Sequence, residues 1–199
     1  MRVQTLIVLL FISCVGAYAQ KFTIQEGDFK ALQNVKKINV TFHYDKMTLM
    51  KENKPEAQYV KERTEELNGK AAGTGDSWAK RWEGAKSSIW EPNFMDLLAK
   101  TATAKKGVQF AQDATDAPVT LRVDADWLYP GWDAGVMKQS AKVSTTLTFV
   151  QGGKVLLKIK SENAPGDQWG SNFSNESRIG EGFEKTAKTL GNRLVKEAF

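Results

Sequence analysis

The stretch Val119-Thr120-Leu121-Arg122-Val123-Asp124-Ala125-Asp126-Trp127 decides the fold. Apolar residues at 119, 121, 123, 125 and 127 alternate with Thr120, Arg122, Asp124 and Asp126. Successive side chains on a strand point to opposite faces, so this pattern predicts a strand with one face on a core. Downstream, Val143, Thr145, Leu147 and Phe149 repeat the alternation, and Val155, Leu157 and Ile159 do so again. Gln151-Gly152-Gly153 joins these two as a tight hairpin. Strands joined by short connections run antiparallel. Ser174 or Asn175 then caps a last helix, whose core stripe is Ile179, Phe183, Ala187, Leu190 and Leu194. Gly180, Gly182 and Gly191 weaken that helix intrinsically and permit close approach to the sheet.

Upstream, Ile38, Val40, Phe42 and Tyr44 alternate with Asn39, Thr41, His43 and Asp45, predicting a strand over 38–49. Pro55 opens a helix with a charged ladder (Lys61, Glu62, Arg63, Glu65, Glu66), which Asn68-Gly69 ends. Residues 70–75 form a small-residue linker. Thr74 or Asp76 caps the next helix, where Trp78, Trp82 and Ile89 share a stripe. Their helical spacing makes Trp78, Trp82 and Trp90 core residues. Pro92 breaks or restarts the helix, Phe94, Leu97, Leu98, Thr101 and Ala102 continue it, and Gly107 closes it. The order β-α-α-β-β-β-α predicts an α+β domain, a mostly antiparallel sheet with helices packed on one face.

Antiparallel order places loops 129–140 and 162–173 at the same end of the sheet. Together they carry Tyr129, Trp132, Asp133, Trp169 and Phe173. Aromatics converging on one edge make a ligand platform, or else plug the end of the core. Asp124 and Asp126 share a strand face about 7 Å apart. That spacing suits an acid/base pair or a hard-cation site, and Arg122 on the same face equally suits a charge-paired sheet surface. His43 faces the polar side without a Gly-x-Ser-x-Gly nucleophile motif to accompany it.

Composition narrows the functions. The chain has 199 residues, 41% hydrophobic and 26% charged, with one His and one Cys. That is ordinary for one globular domain. One Cys excludes a disulfide scaffold and a Cys-based zinc site, and one His excludes multi-His metal motifs, so no metal or other cofactor is expected. Arg2, the apolar run 6–12 and Ala17-Tyr18-Ala19 match a secretory signal peptide over 1–19, leaving a single domain over 20–199. The mature chain would hold 27 basic and 23 acidic residues and no Cys. Phe11-Ile12-Ser13-Cys14 partly matches a lipobox, so a lipid anchor at Cys14 is the minority reading. Export argues against a nucleic-acid partner despite the positive charge, and no apolar run in the mature chain is long enough for a transmembrane segment.

Several short motifs carry a resemblance. They are Ala17-Tyr18-Ala19-Gln20, Gly27-Asp28-Phe29, Gly73-Thr74-Gly75-Asp76-x-Trp78, Pro130-Gly131-Trp132 and Gly135-Val136-Met137. The chain resembles a family of exported proteins from Bacteroidetes-type bacteria. The resemblance spans most of the mature chain and implies export, with no activity and no catalytic residues to carry over. With the layout of the elements, it leads to the expectation of a periplasmic or secreted, non-enzymatic binding or assembly module of the bacterial cell envelope. Its partner would be an envelope protein or a glycan. The alternatives are a carboxylate-driven hydrolase using Asp124, Asp126 and Asp133, and a carbohydrate-binding protein using Trp132 and Trp169.

Overall fold

A computed structural model describes residues 19–134, 137–166 and 174–199. The strands are β1 (Lys21–Gly27), β2 (Lys37–His43), β3 (Thr48–Leu49), β4 (Lys54–Pro55), β5 (Gln109–Ala111), β6 (Val119–Tyr129), β7 (Trp132–Asp133), β8 (Lys138–Gln139), β9 (Ala141–Gln151) and β10 (Lys154–Gly166). The helices are α1 (Glu56–Lys70), α2 (Thr74–Ala85), α3 (Glu91–Leu98), α4 (Ala104–Lys106) and α5 (Asn175–Glu197). The main sheet runs β1-β10-β9-β6-β2-β5, with β3 added beside β6. Val119, Leu121, Val123 and Ala125 are buried on one face of β6, matching the alternation in their sequence. Leu147 and Phe149 on β9, and Leu157 and Ile159 on β10, extend that apolar face.

The sheet is mixed rather than mostly antiparallel. β1, β10, β9 and β6 pair antiparallel, whereas β6 with β2 and β2 with β5 are parallel. The parallel half arises because β2 returns to the sheet through the long helical crossover α1–α4. The element order also differs, since β1 precedes the strand at 37 and β5 precedes β6. β1 is an exposed edge strand that offers only Phe22 and Ile24 as an apolar pattern, and β5 spans three residues. The expected strand over 38–49 is interrupted. Tyr44 leaves the sheet, Met47 N–H donates back to its carbonyl, and β3 then resumes parallel pairing with β6.

Pro92 does not break the helix. The chain stays helical from Thr74 to Lys106 through π-type turns at Lys86–Trp90 and Ala99–Thr103. The wider turn ahead of Pro92 moves the carbonyl with which its ring would collide. Gly107 closes the helix with φ +70, as expected. α5 lies against β9, β10 and α3. A Cβ on Gly182 would stand 2.5 Å from Val143 Cγ2, so this glycine does serve helix–sheet approach. Gly180 and Gly191 instead face the α2–α4 rod, at Asn93 and Thr101. Trp78, Trp82 and Trp90 are buried in one aromatic chain, and Trp90 stacks on Phe183 of α5 with centroids 5.8 Å apart.

Candidate functional site

The starts of the two expected loops do share one end of the sheet. Tyr129 pairs with Lys142, and Lys142 pairs with Pro165. The chain after β6 turns sharply at Gly131, whose φ is +65 and whose Cβ would lie 2.2 Å from the Gln139 carbonyl oxygen. Only glycine fits there. Trp132 and Asp133 then pair with Lys138 and Gln139 in a short hairpin.

Arg178, in the first turn of α5, fixes the base of this hairpin. It is 1% exposed, and its guanidinium donates to the carbonyls of Pro130 at 3.0 Å and Gly131 at 3.2 Å, and to the Asn175 side chain. A buried cation is tolerated where its donors are met by oriented acceptors.

Above that base, Tyr129 donates its hydroxyl to Gln139 Oε1 at 2.8 Å, and the Trp132 indole N–H donates to the same oxygen at 3.1 Å. Tyr129 is buried and stacks on Trp127, whereas Trp132 is 42% exposed. Tyr129, Trp132 and the backbone at 130–131 form one wall of a cleft of about 370 Å³. α1 forms the other wall with Tyr59, Glu62, Arg63 and Glu66. Hydrogen bonds from Lys54 and Gln58 lower the Glu62 carboxyl below its usual range, and Lys70 and Arg63 do the same for Glu66. Burial pushes the Tyr59 hydroxyl up to about 12. The cleft therefore combines a half-exposed indole with a neutral phenol and fixed charges of both signs.

Of the residues expected at the platform, Tyr129 and Trp132 line this cleft. Asp133 sits beside Trp132 in the hairpin and pairs with Lys138 across it. Trp169 and Phe173 lie outside the described residues. Sequence reasoning missed Tyr59, Arg63 and Arg178. Arg63 sits in a charged ladder that reads as solvated, Tyr59 is a single aromatic just ahead of that ladder, and a cation before Ile179 gives no sign of burial.

No family model and no curated protein matches the chain. Two solved structures of the PelC dodecamer from Paraburkholderia phytofirmans are similar to it. One, a point variant, is 15% identical with a TM-score of 0.42, covering 88% of this chain and 99% of its own. The other is 14% identical with a TM-score of 0.40, covering 88% of this chain and 95% of its own.

Asp124 and Asp126 lie on the sheet face opposite the helices. Arg122 grips Asp124, donating from Nε at 2.8 Å and from Nη2 at 2.7 Å. Asp126 accepts from Thr146 Oγ1 and Lys160 Nζ, both at 2.8 Å. Each carboxylate thus has its own cation, as in a charge-paired surface. His43 Nε2 lies 3.2 Å from Thr41 Oγ1 on the same face. Among the described residues, no group of three or more His, Cys, Asp or Glu is placed to hold a metal ion. No helix among them is long and apolar enough to cross a membrane.

Proposed function

We propose that the protein is an exported, non-enzymatic binding or assembly module of the bacterial cell envelope. It engages an envelope protein or a glycan through the Trp132 hairpin and the cleft beside α1. One observation carries the reading: Trp132 is 42% exposed on a hairpin whose base a buried arginine holds rigid. A large aromatic held in place loses little entropy when a partner covers it, which is why tryptophans dominate binding hot spots. A plug would bury the indole as completely as Trp82 and Trp90 are buried. The pairing of Asp124 with Arg122 and of Asp126 with Lys160 lends the hydrolase alternative no support, because a general acid or base needs a face free to transfer a proton. The apolar start of the sequence and Ala17-Tyr18-Ala19 support export.

The test is affinity purification from the native envelope, run beside a glycan panel, with the wild type and Trp132→Ala. Retention of a specific protein or glycan by the wild type and its loss in the variant support the reading. Equal retention, or none by either, counts against it.

A further inference from the structure

The charges lining the cleft beside α1 cancel. Its cations Lys54 and Arg63 match its anions Glu62 and Glu66. They are also paired, Lys54 Nζ lying 2.5 Å from Glu62 Oε2 and Arg63 Nη1 2.6 Å from Glu66 Oε2. An ionic ligand finds no unbalanced charge there and would have to break a pair to gain one. The two carboxylates nevertheless keep acceptor capacity. Each of their four oxygens accepts one N–H, from Lys54, Gln58, Arg63 and Lys70 in turn, whereas a carboxylate oxygen carries two lone pairs. The Glu62 and Glu66 side chains are 45% and 47% exposed, so a ligand hydroxyl can reach them.

Trp132 faces the same space with a different offer. Its N–H is committed to Gln139 Oε1 at 3.1 Å, which leaves the ring surface for a ligand. The face of an aromatic ring is electron-rich and attracts polarised C–H groups. The ring is also isolated. Ile24 and Met137 are the only other large apolar side chains exposed among the described residues, and neither lines the cleft. The centre of a protein-binding surface gathers several apolar anchors that exclude water together. Here one ring stands among fixed polar groups.

We infer that the cleft takes a neutral oligosaccharide, with the C–H face of one pyranose ring on Trp132 and its hydroxyls donating to Glu62 and Glu66. A pyranose carries an apolar face and a rim of hydroxyl donors without charge, which is the complement of this lining. Hydroxyl-to-carboxylate bonds are among the strong hydrogen bonds, and about 370 Å³ is ordinary for a small-ligand cleft. The inference rests on the reading of this cleft as the binding site, and of that reading's two classes of partner it selects the glycan.

Calorimetric titration of the intact protein with neutral oligomers of glucose, mannose, galactose and N-acetylglucosamine tests it. Oligogalacturonate and oligoglucosamine serve as the charged counterparts of the last two. At least one neutral oligomer should bind with a Kd below about 1 mM, at least about tenfold tighter than either charged oligomer. Raising NaCl from about 0.05 to about 0.5 M should change that Kd less than about twofold, since no net charge is matched. Trp132→Ala should weaken binding about tenfold or more, and Glu66→Gln about threefold or more. Glu66 is half-exposed, so its variant keeps the test open if Trp132→Ala fails to fold. The inference is overturned if no neutral oligomer binds in that range, if a charged oligomer binds as tightly, or if Glu66→Gln binds like the wild type. An envelope protein lost by Trp132→Ala while no neutral oligomer binds overturns this inference and leaves the reading of the site standing. A wild type that retains neither protein nor glycan overturns both.

Discussion

Arg178 Nε donates to the Pro130 carbonyl oxygen at 3.0 Å, tying the first turn of α5 to the loop that leaves β6. The two residues are far apart in sequence, and their bond is buried. It sets the height at which Gly131 turns and so the place where Trp132 emerges. Replacing Arg178 with methionine keeps much of the volume but leaves the Pro130 and Gly131 carbonyls without these donors. The expected loss is about 2–4 kcal/mol, read by urea unfolding. A loss below about 0.5 kcal/mol would mean that the hairpin base holds itself.

Two helix glycines should respond in opposite directions. A Cβ on Gly75 would stand 2.1 Å from the Thr64 carbonyl oxygen, where α2 crosses α1, and backbone cannot swing away. Gly75→Ala should destabilise by about 2 kcal/mol or more. Gly84, also in α2, has nothing within 4 Å of its Cβ position. Gly84→Ala should stabilise by about 0.5–1 kcal/mol. Thermal melts of the two variants check both signs.

Stability should fall in strong alkali. Burial raises the Tyr59 hydroxyl to about 12, and burial with the neighbouring Glu91 raises that of Tyr44 further. An unfolded tyrosine ionises near 10. The folded state therefore favours the protonated phenols. Their contribution is complete below about pH 10 and is lost as pH rises through the folded value. Unfolding midpoints measured from pH 8 to pH 12 should drop in the upper half of that range, and Tyr59→Phe should flatten the drop.

The Arg122–Asp124 pair is exposed, so its contribution to stability should be small. Asp124→Asn should change stability by less than about 1 kcal/mol, with part of that removed by salt. A larger effect, insensitive to salt, would point to a role beyond surface pairing.

The N-terminus of the protein recovered from its native cell reports the address. The Ala17-Tyr18-Ala19 site predicts a mature chain starting at Gln20. Mass spectrometry should find that terminus, and an acylated Cys14 would replace the soluble reading with a lipid-anchored one.

How legible these features were depends on how locally each is encoded. The alternation in β6, β9 and β10 is visible because each strand has one buried and one open face. β1 and β5 hid because an edge strand and a three-residue strand bury too little to leave a pattern. Parallel pairing of β2 with β6 follows from the path of the helices between them, which no local pattern records. Pro92 reads as a break or a restart because the π turn at Lys86–Trp90, which lies against α5, leaves no pattern in the sequence. In the cleft, Tyr129 and Trp132 were visible as aromatics amid turn residues. Tyr59 and Arg63 were not, since tertiary packing alone turns them toward the hairpin.

The most direct test of the binding reading compares Trp132→Ala with the wild type in two measurements on the same preparations, melting temperature and retention of partner from the native envelope. The account predicts a melting temperature within about 2 °C of the wild type and retention reduced about tenfold or more. Unchanged retention, or a variant that no longer folds, would contradict it and make Trp132 a part of the core's closure.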